Sequence, residues 1–535
     1  MVSVMAYVGA TAIIPLGQIG LRTDGPLTSM PPNALTKANN VSLFAGRIEK
    51  ARGSTKYNSS ALASTNIVAM WDWWPTPSLQ RLIIATSDGK IWRDTGDGTF
   101  MSGSAIRNFA TTITTDTQFC EGGQEDATNN KKLFIFTSAV QVHRISADGT
   151  STSAITTPNA DWSAGSYPSF GVLYQRRLCV LGSSANRHTV YFSLASDHED
   201  FNTTPLTFEI FPGEGDGLIS ATVYKGLLML FKRPYGVYLL DGRDPNTSNW
   251  TVSKFSDSFG IASSHSVVQA LTDVVAANSF GSYTSLQASQ SFGDFEAGDI
   301  LANNEVEDYI RSEFSSYGLP YVQGIYYPEK KTIYFNGQSG STDLRNKMLL
   351  LDMNKSALKL SLDTKEEPNC LALRRDSFGI QRPIAGDKDG FVWKLDQSSY
   401  NRDSAAYTGE FQTAYTDLGF VSSEIAGKNK IFEFIEVNFI ATGNNNFYVD
   451  VYVDGSLRQT VTIEQFAGAA LGSFELDDDT LGGDLAGARA RKKLKSCFGS
   501  RISFRVYNSN ADEGFKVERL IVGFRISDEQ DSGSE

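Results

Sequence analysis

Histidines and clustered carboxylates carry most acid–base and metal chemistry, and the densest such group here is Asp197-His198-Glu199-Asp200. Adjacent side chains on an extended segment point to opposite faces, so these four do not converge on one ion by spacing alone. Metal ligation and a solvated loop are the two readings. None of His143, His188, His198 and His265 has a histidine four residues on or a cysteine at ligand spacing. The glycine-rich run 211–217, FPGEGDG, could cradle phosphate only if a helix began directly after it. Residues 218–223 read as a strand, and Glu214 and Asp216 would face the phosphate, so a turn is expected. No G-x-S-x-G elbow occurs. The turns at Ser87-Asp88-Gly89 and Asp387-Lys388-Asp389-Gly390 resemble the Asp-box turns of glycosidase propellers, but lack the Ser-x-Asp-x-Gly-x-x-Trp spacing. Hairpin geometry alone accounts for their Asp-Gly pairs. No catalytic, cofactor-binding or metal-ligating residue is assigned, and the chain is read as a non-enzyme with no cofactor.

Two further clusters could mediate contacts. Residues 489–495, RARKKLK, form the only dense basic run and follow Asp477-Asp478-Asp479. This run suits a solvated loop, a docking segment for a neighbouring subunit or, third, a DNA contact. Trp71-Asp72-Trp73-Trp74-Pro75 suits blade packing or an interface anchor.

The elements that would position these residues are strands. Glycine (47), phenylalanine (33) and tyrosine (21) are abundant, and charged residues make up 20%. That mix favours short strands and tight turns. One unit recurs: an apolar strand, a polar turn, a second strand. Its copies span residues 81–94, 131–145, 177–194, 227–242, 273–288, 330–353 and 382–396. The second strands centre on Ile91, Val142, Tyr191, Val237, Tyr283, Leu349 and Val392, with most steps at roughly 43 to 51 residues. A propeller blade of four strands repeats every 40 to 50 residues or so. A lone hairpin cannot bury its faces, whereas blades in a closed ring can. The expected fold is all-β: a β-propeller of six or seven blades over 61–404, with a β-sandwich-like second domain over 405–526. An entry segment, 1–60, joins the propeller, and an acidic tail occupies 527–535. Residues 304–314, NEVEDYIRSEF, are the best candidate helix.

The four cysteines, Cys120, Cys179, Cys370 and Cys497, lie far apart, which predicts reduced thiols and a reducing compartment. The N-terminal stretch lacks a basic region before Arg22, so no secretory signal is expected. No apolar run approaches the length of about 18 residues that a membrane helix needs. The net charge of −12 disfavours a general nucleic-acid-binding surface.

Three stretches, in order, resemble tail hub, nozzle or DNA-stabilisation proteins of short-tailed bacteriophages. The first is IPLGQIG (14–20), with Ala38-Asn39-Asn40-Val41 and GRIEKARG (46–53). The second is VYFSLASDHEDF (190–201), followed by GEGDGLISATVYKGLLMLFKRPYGVYLLDG (213–242). The third is Gly260-Ile261-Ala262, then 305–311 and 385–395. The resemblance spans roughly residues 10 to 400 and rests on structural turns, so no catalytic residue is carried over. It implies a structural subunit of the virion, assembled in the host cytoplasm. Such a subunit forms a homo-oligomeric ring, commonly a hexamer, below the portal and its adaptor proteins, and binds tail fibres, spikes or a needle. The ring would retain packaged double-stranded DNA and pass it without sequence-specific contact. Six copies would carry about −72, six times −12, so an acidic lumen would repel phosphate. Two other readings stand beside it: a tail propeller that hydrolyses or lyses polysaccharide, and a scaffold binding a host protein.

Overall fold

The computed structural model describes residues 10–527, apart from 28, 44–45, 63–64, 97, 101–104, 124–130, 147–148, 196, 214–216, 258, 280, 287–297, 300–305, 307–308, 311, 313–320, 339–344, 354–358 and 466–487. The acidic pair Glu214 and Asp216, the triplet Asp477-Asp478-Asp479, and residues 528–535 of the expected tail lie outside the described residues. So does most of the candidate helix 304–314, of which Tyr309, Ile310 and Ser312 are helical, while Val306 and Ile310 are buried in the core.

Each of the seven hairpins forms the middle of a four-stranded antiparallel unit. The middle strands read as continuous apolar runs, such as LFIF (133–136) and LCVL (178–181), because both their faces are buried. Leu133 and Ile135 pack toward Trp73 and Ile83 of the preceding unit. Phe134 and Phe136 pack the other way, toward Leu178 and Val180 of the next. The same alternation continues round the ring. Apolar clusters join Cys179 to Leu228, Met229 to Val274, Val275 to Ile333, Tyr334 to Leu371, and Cys370 back to Ile67. Seven inter-blade cores make a closed seven-bladed propeller.

The blades open on inner strands Ile67–Thr76, Gln118–Gly123, Phe170–Tyr174, Leu218–Tyr224, Val267–Ala270, Gln323–Tyr327 and Cys370–Arg375. Six blades are separate four-stranded sheets. The sixth in chain order is different: its outer strand, Lys359–Asp363, continues into a ten-stranded sheet. The seventh takes its outer strand, Thr55–Lys56, from the N-terminal segment, which pairs with Val392–Lys394.

The remaining strands make a two-sheet sandwich. Ala34–Asn39, Gly409–Thr413, Ile502–Asn508, Asn446–Val453 and Ser456–Glu464 complete the ten-stranded sheet, joined to the sixth blade through Gly20–Leu21. Facing it are Ala488–Lys493, Lys430–Phe439, Lys516–Ile526, Ile48–Lys50 and Val41–Ser42, with Ala10–Ile14 and Phe498–Gly499 at the side. Five strands of the entry segment 1–60 therefore lie in the sandwich sheets, and only Thr55–Lys56 belongs to the propeller. The reason is apolar pattern: Ile14, Leu35, Ala38, Val41 and Ile48 are buried against Phe411, Val437, Phe447 and Val522 in one core. Lys50 anchors the same seam. Its ammonium is buried and donates to Asn508 Oδ1 (3.0 Å), Asn510 O (2.9 Å) and Glu513 O (2.9 Å).

The central channel as candidate functional site

The inner strands surround a channel whose two ends differ. One end is crossed by Arg345, which reaches from the sixth blade to the segment before the second. Its guanidinium donates to Tyr321 O, Gln323 Oε1 (3.3 Å), Asn369 O (3.0 Å) and Thr115 O (3.3 Å). Burial lowers this guanidinium to about 10, and Asp116 supports its charge. Side chains also stitch neighbouring blades. Gln118 Oε1 accepts the Gly171 N–H (2.8 Å), Gln323 holds both the N–H and the carbonyl of Leu371 (2.9 and 2.9 Å), and Asn369 Nδ2 donates to Ile67 O (2.7 Å).

His265 lies at this end of the channel. Burial, then the nearby Arg345 charge, pushes its imidazole down to about 3 from 6.5. Between those values the unfolded chain binds a proton that the folded chain refuses, so stability is present above pH 6.5 and falls as the solution is acidified. The slope is at most about 1.4 kcal/mol per pH unit. Urea titrations from pH 7 to 4 should show this limb, and His265→Gln should flatten it. An unchanged limb would place the proton uptake elsewhere.

From His265 at that end to Trp74 and Gln381 at the other, the channel is a cavity of ≈ 690 Å³. The aromatic cluster supplies its wall. Trp73 is fully buried between blades, as the packing reading expects, while Trp71 and Trp74 line the cavity. Each of these two indoles is held by a carboxylate: Trp71 Nε1 donates to Glu121 Oε1 (3.1 Å) and Trp74 Nε1 to Asp72 Oδ2 (3.1 Å). Asp72 also accepts from Gln80 Nε2 (2.8 Å) and the Arg375 N–H (3.0 Å), so it braces the seam between the seventh and first blades. Asp72 and Glu121 here orient tryptophans, and no nucleophile–base pair accompanies them among the described residues.

The sequence candidates fall elsewhere. Asp197–Asp200 is neither a metal centre nor a solvated loop. His198 and Glu199 are buried. His198 Nδ1 accepts the Gly123 N–H (2.9 Å), which places the ring proton on Nε2 for donation to Arg176 O (3.0 Å). Glu199 pairs with Lys132 and with Arg144 (2.7 Å), closing the second blade on the third. No group of three His, Cys, Asp or Glu fit for a metal occurs among the described residues. The four cysteines are free and buried.

The Asp-Gly turns do more than turn. Thr86 Oγ1 accepts the Trp92 indole N–H (3.0 Å) and Asp387 Oδ2 that of Trp393 (2.8 Å). The shared pattern, Thr/Asp-x-Asp-Gly-x-x-Trp, is visible in the sequence and pins a tryptophan to its own hairpin in the first and seventh blades. The basic run is not a loop: Ala488–Lys493 is an edge strand on Lys430–Phe439. Arg489, Arg491 and Lys493 are exposed; Arg489 pairs with Glu436 (2.5 Å) and Arg491 lies 3.4 Å from the Phe434 ring centroid. No described helix is long and apolar enough to cross a membrane.

No family model and no curated protein matches the chain. Among solved structures, the WD40 repeats of RRP9 are similar at 11% identity and a TM-score of 0.40, over 65% of this chain and 99% of that one. A computationally designed protein, Ika8, is similar at 10% identity and a TM-score of 0.37, over 65% of this chain and 100% of that one.

Proposed function

We propose that the chain is a structural subunit of a short-tailed phage tail, a hub or nozzle ring that retains packaged DNA and anchors fibres or spikes. The observation that carries this reading is the way the chain is woven. Its N-terminal strands run through both sandwich sheets before closing the propeller, and one core runs from the fifth and sixth blades into the sandwich. A load-transmitting part needs such continuity, because domains joined only by a linker move relative to each other. The ordered resemblance over residues 10–400 supports the same reading. Arg345 crosses the propeller's own channel, which favours a lumen formed between copies as the path for duplex DNA, with the net charge of −12 per copy repelling phosphate. The exposed arginines of Ala488–Lys493 then suit contact with the acidic surface of a neighbour.

Light scattering and electron microscopy of the purified chain, alone and mixed with a portal-adaptor protein, test the proposal. A closed ring, commonly of six copies, is the expected result. A stable monomer under both conditions that degrades polysaccharide would replace it with the enzyme reading.

A further inference from the structure

We propose that the propeller channel, at the end away from Arg345, binds a neutral saccharide. The wall has the two things a sugar ring needs: flat apolar faces for its C–H side, and groups that both donate and accept for its hydroxyls. Trp71 and Trp74 supply the faces. Their indole N–H groups are already bonded to Glu121 and Asp72, so the rings are held in place before any ligand arrives and little ordering is lost on binding. Gln269 and Gln381 line the same cavity and offer amides that donate and accept. Tyr326 also lines it and adds a further ring to the wall, its hydroxyl turned away from the cavity into the protein.

Charge narrows the ligand class. Asp72 and Glu121 are balanced by Lys131 and Arg375 on the same wall, so neither an anion nor a cation is favoured. The cavity, ≈ 690 Å³, lies within the usual range for small-ligand sites of about 300–1,000 Å³. The hairpin between Arg375 and Gln381, both on the wall, carries Phe378 at its tip. Phe378 is 87% exposed, the most exposed of the large apolar side chains among the described residues. It offers a further aromatic face where a longer glycan would leave the cavity. The inference stands whether or not the chain assembles into a ring.

Saturation-transfer NMR on the full chain tests it, with glucose, galactose, N-acetylglucosamine, cellobiose, lactose and chitobiose as probes. At least one probe should receive saturation and shift tryptophan fluorescence. Trp74→Ala should weaken its binding about tenfold or more, and Gln269→Ala and Gln381→Ala severalfold. Gln269 is exposed and Gln381 partly exposed, so both variants keep the fold. Transfer to none of the six probes overturns the proposal. So does transfer that is undiminished in Gln269→Ala and Gln381→Ala.

Discussion

Arg345→Met should lower the free energy of unfolding by about 3–5 kcal/mol, the usual cost of removing one member of a buried charged network. The side chain is 2% exposed. Its four acceptors belong to the segments before the second, sixth and seventh blades and to the sixth blade's inner strand. Methionine fills similar volume but donates nothing, leaving the carbonyls of Thr115, Tyr321 and Asn369 buried and unpaired at about 1–3 kcal/mol each. Arg345→Lys should recover only part of the loss, because an ammonium cannot fork across the channel as a guanidinium does. Urea unfolding followed by tryptophan fluorescence measures the effect. Amide exchange should locate it, with faster exchange at Thr117 and Phe119 than on the distant Asn446–Val453 strand. A midpoint equal to that of the parent chain would show that water satisfies these carbonyls and that the ring closes without the arginine.

Why this residue escapes a reading of the sequence is instructive. The hairpins are legible because both faces of each middle strand are buried, giving runs such as LLMLF (227–231). The inner strands are not, since Gln118–Gly123 (QFCEGG) and Gln323–Tyr327 (QGIYY) place glycine and glutamine where blades approach at the channel. Gly324 shows the constraint: a Cβ there would sit 2.3 Å from Val268 Cγ2. Arg345 lies in a polar loop, and Thr115, the acceptor across the channel, is 230 residues away. His198 is comparable, with its donor Gly123 lying 75 residues upstream. The RARKKLK run misleads for a different reason. Its Ala/Arg alternation (Ala488, Arg489, Ala490, Arg491) has the period of a strand, but alanine is too weak an apolar signal to reveal it. The channel cavity was half legible: the tryptophans stand together in the chain, whereas Glu121, Gln269 and Tyr326 join them only when the ring closes.

The same closure makes the N-terminal segment the most sensitive part of the molecule. A chain begun at Gly53 keeps Thr55–Lys56 and so keeps the seventh blade, but loses every strand from Ala10 to Lys50. Six large buried aliphatic side chains go with them: Ile14, Leu21, Leu35, Val41, Leu43 and Ile48. At about 1.5–3 kcal/mol each, the loss is on the order of 10 kcal/mol, comparable to the whole stability of a typical domain. Ala34–Asn39 is also an interior strand, paired on one side with Gly409–Thr413 and on the other with Gly20–Leu21 and the sixth blade's outer strand, so its removal leaves two open edges in the ten-stranded sheet. The expected outcome is an aggregating chain whose sandwich is unfolded. A chain begun at Ala61 loses Thr55–Lys56 as well and opens the propeller between its seventh and first blades, where Tyr57 otherwise bonds Asp94. Soluble yield, size-exclusion profile and amide exchange should therefore rank the parent chain first, the Gly53 start second and the Ala61 start last. Equal behaviour of the two truncations would mean that the propeller does not need the strand that closes it. A soluble Gly53 chain with native exchange in Asn446–Val453 would mean that the sandwich stands without its N-terminal strands.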